Sequence, residues 1–147
     1  MSQREKTPVN ILVKTEVTQE NELKDFIVDV TGHMVVINDI IYLRYEELLE
    51  GVKTAVPVTI KIHPNGEVTL IRSGEVKMKL NFSYEERRET TYATPYGMMH
   101  ISTMTNHLHI SLKDKPYSGS LTIDYDLYAG EEKLGAYHLV LNYSESR

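Results

Sequence analysis

The sequence of 147 residues contains no cysteine and no tryptophan, and only two phenylalanines. Without cysteine there can be no disulfide, no thiolate metal site and no thiol nucleophile. No apolar run approaches the ~20 residues that a membrane-spanning helix needs. The sequence also contains no P-loop, GxGxxG, GxSxG or HExxH motif. We therefore expect neither an enzyme nor a resident cofactor.

The composition also lacks an excess of basic residues. Sixteen Lys and Arg residues stand against 21 Asp and Glu residues, so the net charge is −5 with neutral histidines. An acidic chain is a poor electrostatic match for nucleic-acid phosphates and for anionic lipid. The first residues, MSQREKTP, contain no apolar segment of the kind found in signal peptides. We expect a cytoplasmic protein without nucleic-acid or membrane partners.

Alternation of apolar and polar residues is the dominant pattern, and it is clearest from Gly97 to Tyr143. The same alternation runs through Val58–His63 and Val76–Glu85. Turn signals separate the runs, among them Pro64-Asn65-Gly66 and the two-residue hairpin candidate Asn38-Asp39. About ten strand candidates at intervals of roughly 8–15 residues predict an all-β protein.

The short connections predict that strands adjacent in sequence are adjacent in the sheet. Closing such an antiparallel meander removes its two exposed edges, so we predict a β-barrel of about 8–10 strands, with a two-sheet β-sandwich as the alternative. Residues 1–7 are expected to be a disordered tail and residues 8–147 a single barrel domain. Residues 45–56 are read as a strand end plus loop, although their Glu and Leu content also allows a helical turn.

One apolar face per strand predicts a single enclosed interior. It is expected to contain, among others, Val9, Ile11, Val13, Val28, Val30, Val58, Ile60, Ile62, Val76, Met78, Leu80, Leu108, Ile110, Leu121, Ile123, Leu139 and Leu141. Four apolar residues are out of phase with these faces: Leu12, Ile27, Ile41 and Ile71. Together they would form a surface patch suited to a homo-oligomer.

Several short segments resemble one known family. They are Arg72-Ser73-Gly74, Tyr92-Ala93-Thr94-Pro95-Tyr96-Gly97, Thr105, Gly119 and Ile123-Asp124-Tyr125. The sequence resembles the YwiB-like family, bacterial proteins of unknown function, from about residue 8 to residue 143. This resemblance implies a calycin-like or lipocalin-like β-barrel. It implies no activity, because the family offers no established catalytic or binding residues to transfer.

The histidines provide the sharpest local motif. His107 and His109 are two residues apart on one strand, so their side chains share a face roughly 7 Å apart. His100 is expected one strand earlier, across a turn at Thr105-Asn106, where it could complete a metal site. A change of phase at Ser102-Thr103 predicts a bulge. Because the histidines alternate with core aliphatics, we interpret them as solvated outer residues, and we predict no metal site.

The tyrosines are the more informative set, since the chain has ten of them. The alternating pattern places four of them, Tyr84, Tyr125, Tyr137 and Tyr143, on the same strand faces as the aliphatic core residues. Arg72 stands beside a turn, where it would reach the barrel mouth and bind an anion. Buried tyrosines and one arginine would give apolar walls with a few polar groups, as in small-molecule sites. The competing interpretation places the tyrosines at the barrel ends, with their hydroxyl groups in water.

These observations favour a non-enzymatic barrel that binds a small, partly apolar or amphipathic molecule in its lumen. The alternative is a protein-interaction or structural module with a solid core, possibly a homodimer. The identity of the ligand cannot be read from the sequence.

Overall fold

Ten antiparallel strands make up the computed structural model, which describes residues 6–48, 55–74, 77–114 and 116–146. The strands are β1 (Thr7–Gln19), β2 (Glu22–Ile37), β3 (Ile40–Glu47), β4 (Val56–Ile62), β5 (Val68–Ser73), β6 (Lys77–Phe82), β7 (Arg87–Thr94), β8 (Gly97–Asp114), β9 (Tyr117–Ala129) and β10 (Glu132–Glu145). Among the described residues, no helix is long and apolar enough to cross a membrane.

Each strand pairs with the next in sequence, and β10 pairs with β1 to close the barrel. The closing ladder runs from Val9 opposite Glu145 to Thr18 opposite Ala136. The predicted all-β closed meander of about 8–10 strands is therefore confirmed with ten strands, and the two-sheet sandwich is not observed. The Asn38-Asp39 hairpin is also confirmed, with φ angles of 52° and 67°, the positive values that suit a tight hairpin turn.

The strands fall into a long half and a short half. Strands β1, β2, β8, β9 and β10 have 13 to 18 residues, whereas β3 to β7 have 6 to 8. We call the sheet of β8, β9, β10, β1 and β2 the long wall. At roughly 3.3 Å per residue, this wall extends well beyond the short strands at its ends.

The interior is filled by one continuous cluster of side chains. The most buried large members, each under 2% exposed, are Val9, Ile11, Leu43, Val58, Ile60, Val68, Phe82, Leu121, Ile123 and Leu141. Several predicted interior residues are only partly buried and pack against this cluster, namely Val28, Val30, Met78, Leu108 and Ile110. Val76 lies outside the described residues. The period-2 alternation therefore predicted the inner face of most strands.

Two features of the fold differ from the sequence prediction. The region predicted as two strands with a turn at Thr105-Asn106 is one continuous strand, β8, because a bulge between Thr105 and His107 absorbs the change of phase. The bulge is thus three residues beyond Ser102-Thr103, where it was predicted.

The out-of-phase apolar residues do not form one patch. Leu12 lies opposite Asp29 and Ile27 lies opposite Lys14, so these two side chains are diagonal neighbours on the long wall. Ile41 instead packs against the core, since it shares the inner face of β3 with Leu43. The four-residue patch was therefore a wrong prediction.

The ambiguous segment 45–56 is strand at both ends, because β3 continues to Glu47 and β4 begins at Val56. Residues 49–54 lie outside the described residues.

Candidate functional site

An arginine and a buried glutamate form an ion pair at one end of the short strands. Arg72 follows Val68 and Leu70 on the inner face of β5. Its Nη2 donates to Oε1 of Glu47 at 3.0 Å, and the side chains of Arg72 and Glu47 are 39% and 6% exposed. Because Arg72 is half in water while its partner is enclosed, the pair marks the mouth of the barrel.

One buried hydrogen-bond donor of the Arg72 guanidinium has no partner among the described residues. This donor is the Nε, which is inaccessible to water. A buried donor without a partner is costly, by ~1–3 kcal/mol and more for a charged group. An acceptor that reached this N–H would therefore gain a charge-assisted hydrogen bond.

A group of aromatic rings lies within electrostatic range of this arginine. Tyr125 stacks on Tyr137, with ring centroids 4.8 Å apart and planes within 6°. Phe82 packs against the other side of Tyr125 at 4.6 Å in a tilted arrangement. Burial and the neighbouring Tyr137 raise the pKa of Tyr125, while the positive charge of Arg72 opposes the rise. Arg72 therefore acts electrostatically on the phenol groups of this stack.

Tyr45 completes the mouth from β3. It is buried, and burial together with the Glu47 carboxylate raises its pKa, which Arg72 again opposes. Leu43, Tyr45 and Glu47 share the inner face of β3. Sequence reasoning missed Tyr45 and Glu47 because the Glu- and Leu-rich composition of this segment suggested a loop or a helical turn. The continuing alternation after Leu43 was the available signal. We refer to Tyr45, Glu47, Arg72, Tyr125 and Tyr137 as the mouth cluster.

The structure places Arg72 within electrostatic range of Tyr125 and Tyr137, whereas the other two predicted tyrosines lie elsewhere. Tyr143 is six residues beyond Tyr137 on β10, or roughly 20 Å along the strand. Tyr84 is 56% exposed in the turn after β6. Its predicted inner position assumed that the alternation continued past Phe82, where β6 ends.

An opening in the barrel wall separates β6 from β7. Their ladder contains only the pairs Lys77–Ala93 and Met78–Tyr92, although both strands continue toward the Phe82 end. A cavity of about 510 Å³ occupies the region beyond these pairs, lined by Glu67, Val68, Thr69, Asn81, Phe82, Ser83, Arg87, Arg88 and Glu89. The buried Thr103 hydroxyl donates to the Asn81 carbonyl at 2.6 Å, which partly replaces the missing ladder.

The two arginines at this opening form side-chain contacts, although the Nε of Arg88, like that of Arg72, is buried without a partner among the described residues. Arg88 donates to Glu67 at 2.7 Å and to Glu86 at 2.9 Å, so it spans the opening from β7 to the start of β5. Arg87 turns to the outer surface, where its Nε donates to the Ser102 hydroxyl at 2.9 Å. These contacts explain the opening as a gap bridged by side chains, and we assign no ligand to it.

A second cavity of about 460 Å³ lies on the outside of the long wall. Its lining comes from five strands and is mainly small and polar, including Asn10, Ser111, Ser120, Asn142 and Ser144. Like the opening between β6 and β7, it does not belong to the mouth cluster.

The three histidines considered as metal ligands do not come together. His100 and His107 lie on the same strand, β8, seven residues or roughly 23 Å apart. The turn that was to bring them together does not exist, so this candidate site is wrong. His107 and His109 do share the outer face, as predicted. In the described part of the chain, no three His, Asp or Glu side chains already surround a common point where a metal would sit.

The buried phenols give a prediction for alkaline pH. Tyr45 and Tyr125 have raised pKa values in the folded protein, while unfolded tyrosines ionise near pH ~10. The unfolded state therefore binds fewer protons above pH ~10, and stability must fall as pH rises through that value. We expect a phenolate absorbance titration of the ten tyrosines to remain incomplete until circular dichroism shows unfolding. Full ionisation of the folded protein near pH ~10 would contradict this prediction.

Comparison with known proteins agrees with the barrel and with the resemblance noted in the sequence. The crystal structure of the ywiB protein from Bacillus subtilis superposes with a TM-score of 0.82 at 24% identity, covering 97% of this chain and 94% of that chain. The uncharacterized beta-barrel protein YwiB of the same organism is 28% identical over 142 residues, or 95% of each chain. A family model described as a domain of unknown function, DUF1934, matches residues 11–141. Because that match extends from β1 to β10, the chain belongs to the DUF1934 family.

Proposed function

We propose that this protein is a cytoplasmic, non-enzymatic barrel that binds a small molecule at the mouth cluster. The ligand carries an anionic group, such as a carboxylate, on a partly apolar body. The observation that carries this proposal is the buried Nε of Arg72, which has no partner among the described residues. The positive charge of Arg72 also acts on a stack of two tyrosine rings.

The chemistry of the mouth cluster indicates how such a ligand would lie. Its anionic group would accept from Arg72, whose planar guanidinium favours carboxylates. Because the Nε is inaccessible in the ligand-free barrel, the Arg72 side chain would turn toward the mouth on binding. Its apolar part would contact Tyr137, which is half-buried and stacked on Tyr125. Deeper in the lumen, Leu121, Ile123 and Leu141 are almost completely buried and packed, so the ligand would occupy the mouth end only. This arrangement favours a small ligand over a long acyl chain.

Arg72→Lys is the variant that tests this site. Lysine keeps the positive charge beside Glu47 but loses the free Nε donor, so the fold should survive. With 1-anilinonaphthalene-8-sulfonate as the probe, we expect wild-type protein to bind one molecule and Arg72→Lys to bind roughly 10–100-fold more weakly, the cost of a charged hydrogen bond. Arg87→Lys, on the outer surface, is the matched control and should bind like wild type. Equal affinities for all three proteins would contradict the proposal.

One observation favours the interaction module as a second candidate. The hairpin of β1 and β2 exposes Leu23, Phe26 and Ile27, with the Phe26 side chain 54% exposed. Leu23 and Ile27 share the outer face of the hairpin, and Phe26 lies on the other face. Exposed apolar side chains of this kind are typical of protein contacts. Native mass spectrometry of protein purified from its own host separates the candidates, because a bound small molecule and a dimer give different masses. A ligand-free dimer would favour the interaction module, and a monomer with added ligand mass would favour the mouth site.

A further inference from the structure

A row of ionisable side chains crosses the outer surface of the long wall. His107 of β8 lies directly opposite Asp124 of β9. Asp124 in turn lies opposite His138 of β10, and His138 lies opposite Glu16 of β1. All four point outward, because the alternating residues Leu108, Ile123, Leu139 and Val17 belong to the inner face. The register thus places two imidazoles on either side of one carboxylate.

Two members of the row are already in contact. Nδ1 of His138 and Oδ1 of Asp124 form a hydrogen-bonded pair. Both side chains are partly exposed, and His107 on the other side is exposed. In this hydrogen bond a ring nitrogen and a carboxylate oxygen share one proton.

From this row we propose a binding site for one Zn²⁺-class divalent ion, held by His107, Asp124 and His138. Neighbouring strands are ~4.8 Å apart, so the two histidine backbones flank Asp124 at a separation of ~10 Å. Imidazole nitrogens bind zinc at ~2 Å, so an ion above the carboxylate can be bound by Nδ1 of His138 and by a ring nitrogen of His107 once the His107 ring turns toward Asp124. The three side chains do not surround such a point at present. Binding therefore requires the ion to replace the shared proton and His107 to turn inward on the open surface.

The donor set indicates the class of ion. Two imidazoles and one carboxylate suit zinc and similar transition metals, whereas calcium and magnesium prefer sites made of oxygen alone. Three protein ligands leave a fourth position for water or for another molecule. Glu16, beside His138, adds negative charge that favours any cation at this row.

The chain contains a matched control for this site. His109 is two residues from His107 on the same outer face of β8, but its neighbour on β9 is Thr122. Thr122 in turn lies opposite Val140 on β10, so that row contains no carboxylate and no second imidazole. His109→Asn therefore removes an exposed histidine of β8 without removing a proposed ligand.

Isothermal titration of the full chain with Zn²⁺ alone tests the site, in a non-chelating buffer near pH ~7.5, because metal binding competes with protons for the ligand atoms. We expect one ion per chain. His107→Asn, Asp124→Asn and His138→Asn should each bind at least roughly tenfold more weakly, while His109→Asn binds like wild type. Circular dichroism of each variant confirms that it is folded, as expected for outer residues.

Two results would overturn the site. The first is that wild-type protein binds no Zn²⁺, which would contradict the site directly. Zn²⁺ binding that weakens as much in His109→Asn as in His107→Asn would show that exposed histidines bind the ion without a specific geometry. Neither result bears on the mouth cluster, which contains none of these residues.

Discussion

The Gly32→Ala variant is expected to be the least stable of the single-methyl changes open to this barrel. A Cβ atom at Gly32 would stand 2.3 Å from the Arg44 carbonyl oxygen and 2.8 Å from Cδ1 of Ile11. The carbonyl belongs to the backbone and Ile11 is fully buried, so neither can move away cheaply. Overpacking of this kind costs ~1–3 kcal/mol, and we expect the upper end of that range.

Thermal unfolding followed by circular dichroism measures this effect. For a chain of this length, ~3 kcal/mol corresponds to a fall in Tm of roughly 6–12 °C. Gly66→Ala is the comparison, because a Cβ there meets nothing within 4 Å but Gly66 has a φ of +93°. Its strain should cost only about 1–2 kcal/mol. The packing argument fails if Gly32→Ala unfolds at the same temperature as Gly66→Ala or above it.

The position of Gly32 shows what the sequence could and could not predict. A glycine inside a strand pattern indicates a bend or a close approach of backbone, and the close approach is observed. Glycine inside a strand can also mark a bulge, but the register of β2 shows no shift at this residue. Which atoms fill the space of the missing side chain depends on β1 and β3, and their pairing with β2 is a tertiary property.

The same limit applies to the candidate sites. The sequence predicted the face of the strand on which Tyr125, Tyr137 and Arg72 lie, because inner and outer positions alternate along one strand. The pairing of Arg72 with Glu47 could not be predicted, since it depends on β3 continuing into the ambiguous segment as far as Glu47. The row of His107, Asp124 and His138 needed the register of three strands. The bulge next to Asn106 shifts that register and looked like a turn in the sequence.

The second large effect is expected in the interior, from Phe82→Ala. Phe82 is 1% exposed and its ring packs against Tyr125. Truncating a buried phenylalanine costs ~3–5 kcal/mol, since the transfer free energy is lost and a cavity remains. Tyr84→Ala, two residues later in an exposed turn, removes a ring of similar size and should change stability by no more than about 0.5 kcal/mol. Urea unfolding of the two variants gives both values.

The cavity left by Phe82→Ala also tests whether side chains, rather than an open lumen, fill this part of the barrel. If Phe82 fills the space, the variant contains a new apolar cavity beside Tyr125, and such cavities stay dry and bind benzene. Benzene should then raise the Tm of Phe82→Ala and leave the wild-type Tm unchanged. If wild-type protein is stabilised by benzene equally, an apolar cavity exists before the truncation, and ligands can enter deeper than the mouth cluster. If neither protein responds while Phe82→Ala is as stable as Tyr84→Ala, the ring is not part of the core and the packed interior is wrong.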